Sequence, residues 1–164
     1  MVVVEIFGLA LDEKTKSPIL VLKNGDQGRV LPIWIGALEA MAISMAINKT
    51  PFPRPMTHDL LLNMIHSLGG KVTGVEVTSI ESGTFFAEII VTTENETLRM
   101  DSRPSDAIAL AVRAECPIAV EESVLEEAGT LFQEDSESVI KTEDSDKWLE
   151  ELEKLSEEDI KYKM

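Results

Sequence analysis

Apolar and polar positions along this chain switch between two periods, and the switches divide it into elements. Val2 to Leu11 and Ile19 to Lys23 read as strands flanking a polar turn from Asp12 to Ser17. Asn24, Gly25 and Asp26 form a turn, because Asn and Gly tolerate positive φ. Arg29 to Ile35 is a third strand. From Ala37 to Asn48 the period becomes helical, with Leu38, Met41, Ala42 and Met45 at i, i+3, i+4 and i+7 as the predicted apolar face. Proline at 51, 53 and 55 excludes regular helix there. A second helix is predicted over His58 to Leu68, with Thr57 as N-cap, Leu61, Met64, Ile65 and Leu68 as its apolar face, and Gly69-Gly70 as the stop.

The second half repeats this plan. Val72 to Ile80, Thr84 to Thr92 and Glu96 to Asp101 read as strands, Pro104 to Ala114 as a helix, and Ile118 to Val120 as a short strand. Glu39-Ala-Met-Ala-Ile43 and Asp106-Ala-Ile-Ala-Leu110 are alike in type and lie 67 residues apart, each after a strand-like run. The expected fold is α+β, two duplicated βββα units with a mixed or antiparallel sheet. Trp34 and the helically spaced methionines read as core.

Composition places these elements in one domain of ordinary size. The formal net charge of -15 is uneven, since residues 121–164 carry 16 acidic and 5 basic side chains. The expected division is therefore a domain over 1–128 and an acidic tail over 129–164, with a short amphipathic helix from Trp148 to Leu155. Such a field does not steer the chain onto nucleic acid, so any dealing with phosphate must be local. No run suits a membrane span or signal peptide, and the single Cys116 fits a reducing compartment, which makes cytoplasm the expected location.

Pro104 at the first helical position makes Arg103 the N-cap and Asp106 the third helical residue; the offset makes Gly36 and Glu39 their counterparts. Acids there either serve their own helix, through the dipole and the N-cap N–H, or converge on a shared site. Glu39, Asp101 and Asp106 are the candidate metal ligands, and carboxylate oxygens with one imidazole suit Mg²⁺ or Mn²⁺. His58, with Asp59 beside it, is the candidate base, and Arg54 and Arg103 are candidate phosphate grips. Each has a plainer reading as a cap, turn or surface residue.

Three blocks together resemble a known family. Leu31-Pro-Ile-Trp-Ile-Gly36 with Glu39, then Phe52 to Leu60, then Asp101-Ser-Arg-Pro-Ser-Asp-Ala-Ile108, are similar to the signature blocks of the bifunctional nuclease domain family, over roughly residues 1–125. The resemblance implies an α+β fold, homo-oligomers, dimers first, and DNase and RNase activity. Its polar positions here are Glu39, Arg54, His58, Asp59, Asp101, Arg103, Ser105 and Asp106. Two functions follow: a metal-dependent nuclease acting on DNA or RNA, or a non-catalytic binding or regulatory module whose polar residues cap helices or hold a small anion. Grouping of Glu39, His58 and Asp101 or Asp106 around one cleft favours the first; separate caps favour the second.

Overall fold

The computed structural model describes residues 1–12, 14–25, 28–131, 139–141 and 150. β1 (Val2–Leu11), β2 (Pro18–Lys23) and β3 (Arg29–Trp34) form an antiparallel meander that leads into α1 (Ala37–Ile47). After the proline-rich loop comes α2 (Thr57–Ser67). A second antiparallel meander follows, β4 (Lys71–Glu81), β5 (Thr84–Thr92) and β6 (Thr97–Ser102), leading into α3 (Pro104–Ala114). α1 and α3 stand at the 67-residue offset seen in the sequence. The chain continues through β7 (Ile118–Val120), α4 (Glu122–Ala128), β8 (Thr130–Leu131) and β9 (Val139–Lys141).

The strands form one mixed sheet in the order β6-β5-β4-β7-β1-β2-β3-β8, with β9 also on β1. β7 joins the two meanders: it runs parallel to β4, with Ile118 opposite Val75, and antiparallel to β1, with Ile118 opposite Val4. The protein is α+β, as the strand and helix periods predict. α4 was not legible in the pattern; it is short and anchored by buried Val124 and Leu125. Within 129–164, β8 pairs with β3 and β9 with β1. The predicted Trp148 helix lies outside the described residues, apart from Glu150. Among the described residues no helix is long and apolar enough to cross a membrane.

α3 is the central helix, with Ala107 to Ala111 all buried between the sheet and helices α1 and α2. Its alanines let the neighbouring helices approach closely, while Ile108 and Leu110 fill the core with Leu20, Leu22, Leu31 and Ile43. Three predicted faces need correction. α1 buries Ala40, Ile43 and Ser44 and leaves Leu38 exposed, so the stripe Leu38–Met41–Ala42–Met45 is not its core face. α2 packs through Leu62 and Ile65, leaving Leu61, Met64 and Leu68 exposed. Trp34 is 55% exposed rather than buried. These helices are apolar on more than one side, so periodicity alone does not choose which side meets the sheet.

Candidate functional site

The N-termini of α1, α2 and α3 meet where the two meanders hand over to their helices. Arg103 is extended (φ -70, ψ 143) ahead of Pro104, as an N-cap before proline should be. Gly36 plays the same part at α1, and a Cβ there would collide with the Glu39 carboxylate. Glycine thus makes room for Glu39 to fold towards the helix start. The N-cap of α2 is Met56, not Thr57: the Met56 N–H donates to Asp59 Oδ2 at 2.9 Å. Thr57 becomes the first helical residue because Asp59 already supplies the capping oxygen.

Glu39, His58, Arg103 and Asp106 come together here. Arg103 Nε donates to Asp106 Oδ2 at 2.7 Å, and its Nη1 donates to Glu39 Oε1 at 2.9 Å. On the other oxygen of Asp106, Oδ1, His58 Nε2 sits 3.1 Å away. Burial opposes ionisation of Asp106, yet the hydrogen bonds from Arg103 and His58 outweigh it and hold the carboxyl below the usual aspartate range. The same pairing with Asp106, and then with Glu39, raises the Arg103 pKa. An ionised carboxylate can only accept, so in this contact His58 Nε2 carries a proton and donates it to Asp106 Oδ1. Asp106 accepts from the side chain of its own N-cap residue, Arg103, and also reaches across to His58 of α2, while Glu39 of α1 reaches across to Arg103.

These four side chains line an open cavity of about 390 Å³. Its apolar wall is Leu38, Met41, Ala42 and Met45, the stripe read from sequence as core. Arg113 closes the back. It donates from Nε to Asp59 Oδ1 at 2.5 Å, and from Nη1 to Ala109 O at 2.8 Å and Ala42 O at 3.2 Å, so one guanidinium ties α1, α2 and α3 together. Burial again opposes ionisation of Asp59, but Arg113 and the Met56 N–H hold its pKa down. Asp59 is thus committed to Arg113, and Asp106, not Asp59, is the carboxylate on the imidazole. Arg113 was missed in the sequence, although its i+7 spacing from Asp106 puts both on one helix face.

The remaining candidates stand elsewhere. Ser105 is buried beside an adjoining cavity. Arg54 is exposed in the proline-rich loop and lies outside the lining of this cavity. Asp101 pairs with Glu88 on β5, and Glu88 with Arg99, on the sheet face opposite buried Ala87 and Ile89. It therefore does not join Glu39 and Asp106 as a metal ligand. Among the described residues no three His, Cys, Asp or Glu side chains group as a metal site. A guanidinium already holds both carboxylates, so a divalent ion does not fit this arrangement as it stands.

Sheet, helices and cluster define an α+β protein whose candidate site is an imidazole–carboxylate pair crossed by an arginine at a helix junction. The bifunctional nuclease domain model matches residues 20–133. The chain belongs to the bifunctional nuclease domain family. It is 35% identical over 162 residues to an uncharacterised protein of Mycobacterium tuberculosis, covering 96% of this chain and 97% of that one. It is 31% identical over 114 residues to Bifunctional nuclease 1 of Arabidopsis thaliana, and 30% identical over 121 residues to Bifunctional nuclease 2 of Oryza sativa subsp. japonica. Those matches cover 67% and 71% of this chain but only 35% and 37% of the plant proteins.

Proposed function

We propose that this protein is a nuclease that hydrolyses phosphodiester bonds of DNA or RNA at the His58–Asp106 cavity. The observation that carries the reading is convergence: Glu39, His58 and Asp106, from three different helices, line one open cavity. Asp106 accepts the Nε2 proton and fixes the ring, leaving Nδ1 to take a proton from water as its oxygen attacks phosphorus. The P–O ester bond then breaks, and the leaving oxygen is protonated from solvent. Arg103, which is two-thirds exposed, is free at its outer edge to meet the charge growing on the phosphoryl oxygens. The family match and the names of the plant relatives support the reading.

The test is cleavage of labelled single-stranded RNA and DNA by wild type, His58→Ala and Asp106→Asn, with Mg²⁺ or Mn²⁺ and with chelator. Cleavage lost in both folded variants supports the nuclease, and the chelator arm decides metal dependence. Cleavage absent from wild type, or unchanged in the variants, sinks it. A second reading is then favoured by a specific feature: Arg103 already satisfies Glu39 and Asp106, as a structural network in a binding or regulatory module would.

We also propose a homo-oligomer, dimers first, assembled through α2. Leu61, Met64 and Leu68 lie on one side of that helix and are 38%, 54% and 82% exposed. That is more contiguous apolar surface than scattered single residues supply.

A further inference from the structure

Beside the His58–Asp106 cavity lies a second, of about 410 Å³, and the two share Glu39 and Arg103 as a common wall. The volume falls within the range of about 300–1,000 Å³ usual for small-molecule sites. Trp34 ends β3 here with more than half its surface open, whereas Leu31 and Ile33 of the same strand are buried. The indole is not loose: Trp34 Nε1 donates to Asp12 Oδ2 at 3.4 Å. The β4–β5 turn, with Ser82 and Gly83 both at positive φ (50 and 80), brings Thr84 and half-buried Phe85 to the same cavity. Ser17, Thr84 and Ser105 also line it, so two aromatic and three hydroxyl-bearing residues border the cavity.

We infer that this second cavity receives an unpaired nucleobase, stacked on Trp34, while the adjoining phosphate meets Arg103 on the common wall. The inference rests on the nuclease reading of the first cavity and adds that the substrate is single-stranded where it binds. A nucleobase has two apolar faces and a polar rim, which suits a border of aromatic and hydroxyl-bearing residues. An apolar peptide would desolvate those hydroxyls and the charged Glu39–Arg103 pair without offering them a partner. A duplex cannot offer a base face without unstacking it. Stacking of this kind is tolerant of sequence, because every base has a π face. A strand lying across Arg103 would have its base on the Trp34 side and its phosphate within reach of the His58 side.

The test uses full-length protein in a Trp148→Phe background, so that Trp34 is the sole tryptophan. In chelator, end-labelled oligothymidylate, an abasic oligomer of equal length and a duplex of equal length are titrated. Trp34 fluorescence reports quenching in the parent, and label anisotropy reports affinity in the parent and in the tryptophan-free Trp34→Ala and Trp34→Phe variants. Expected are quenching by oligothymidylate, at least about 10-fold weaker binding in Trp34→Ala, and retention within about 3-fold in Trp34→Phe. The abasic oligomer should bind wild type no better than oligothymidylate binds Trp34→Ala, and the duplex should not quench. Equal binding of abasic and base-bearing oligomers overturns the inference, as does affinity unmoved by Trp34→Ala or no binding at all. A change of oligomeric state in Trp34→Ala with unchanged affinity would assign the face to self-association instead. Failure of the nuclease reading looks different: oligothymidylate binds and quenches, yet wild type cleaves nothing.

Discussion

His58 Nε2 and Asp106 Oδ1 lie 3.1 Å apart although 48 residues separate them in the chain. The contact exists because the N-terminus of α2 is laid across that of α3, and Arg113 pins α2 there through Asp59. It converts a helix-start acid into the partner of an imidazole.

If Asp106 fixes the His58 tautomer, Asp106→Asn should cut kcat by about 100-fold or more, in the range lost when a general base is disabled. The helix should survive, since Asn retains the volume. Kinetics with circular dichroism as a folding control would check this; a fall below about 3-fold would remove Asp106 from the mechanism.

Acid should weaken the fold through the same carboxylates. Asp59 and Asp106 both have folded pKa values below the usual 3.8. The unfolded chain then binds protons first, so their stabilisation is whole above that value and is lost as pH falls through the lower folded pKa. Asp59→Asn/Asp106→Asn should therefore show a flatter loss of Tm than wild type between about pH 5 and about pH 2. Parallel curves would show that neither pairing contributes.

Replacing Arg113 should cost stability, because its side chain is only 10% exposed and bridges three helices. Arg113→Met loses three hydrogen bonds and is expected to destabilise by about 2–3 kcal/mol. That corresponds to a Tm lower by roughly 5–10 °C for a chain of this size. Arg113→Lys should recover only part, since an ammonium cannot copy the fork. Thermal unfolding of the two variants separates these outcomes.

Glu39 competes with phosphate for Arg103. Glu39→Gln leaves the guanidinium with one carboxylate instead of two, so affinity for a single-stranded oligonucleotide in chelator should rise by about 3–10-fold. The gain should shrink with added salt. Unchanged affinity in a fluorescence-anisotropy titration would mean that Arg103 does not touch the phosphate.

The exposed α2 face makes a prediction of its own. Met64→Glu adds a charge where the fold buries nothing, so stability should change by no more than about 0.5 kcal/mol. Mass by light scattering should nevertheless fall to that of a monomer. An unchanged mass with intact stability would acquit this face of self-association.

Much of the local structure was legible because it depends on short-range rules. α3 begins at Pro104 and ends at Ala114 as read, since Pro fixes the start and the chain turns to αL at Glu115. Gly36 and Arg103 are the N-caps expected, and Glu39 and Asp106 stand three residues in. At the β4–β5 turn Gly83 takes the positive φ that glycine tolerates, whereas between β2 and β3 the positive φ falls on Gly28 and not on Asn24 or Gly25. The apolar faces failed for a related reason. Leu38, Met41 and Met45 obey the helical period, but so do Ala40, Ile43 and Ser44, and small residues were needed where α1 meets α3.

The sequence by itself determined the elements as far as β7, their order, and the presence of an acid at the start of each of three helices, because capping and periodicity act over a few residues. Only the tertiary structure decided what those acids do. Asp59 turned to Arg113, Asp106 to His58 and Arg103, and Glu39 to Arg103, while Asp101 was left on the far side of the sheet. Those choices depend on how α1, α2 and α3 cross, which is set by packing small and large side chains against a sheet. The same packing left Trp34 in the open, where periodicity had placed it inside.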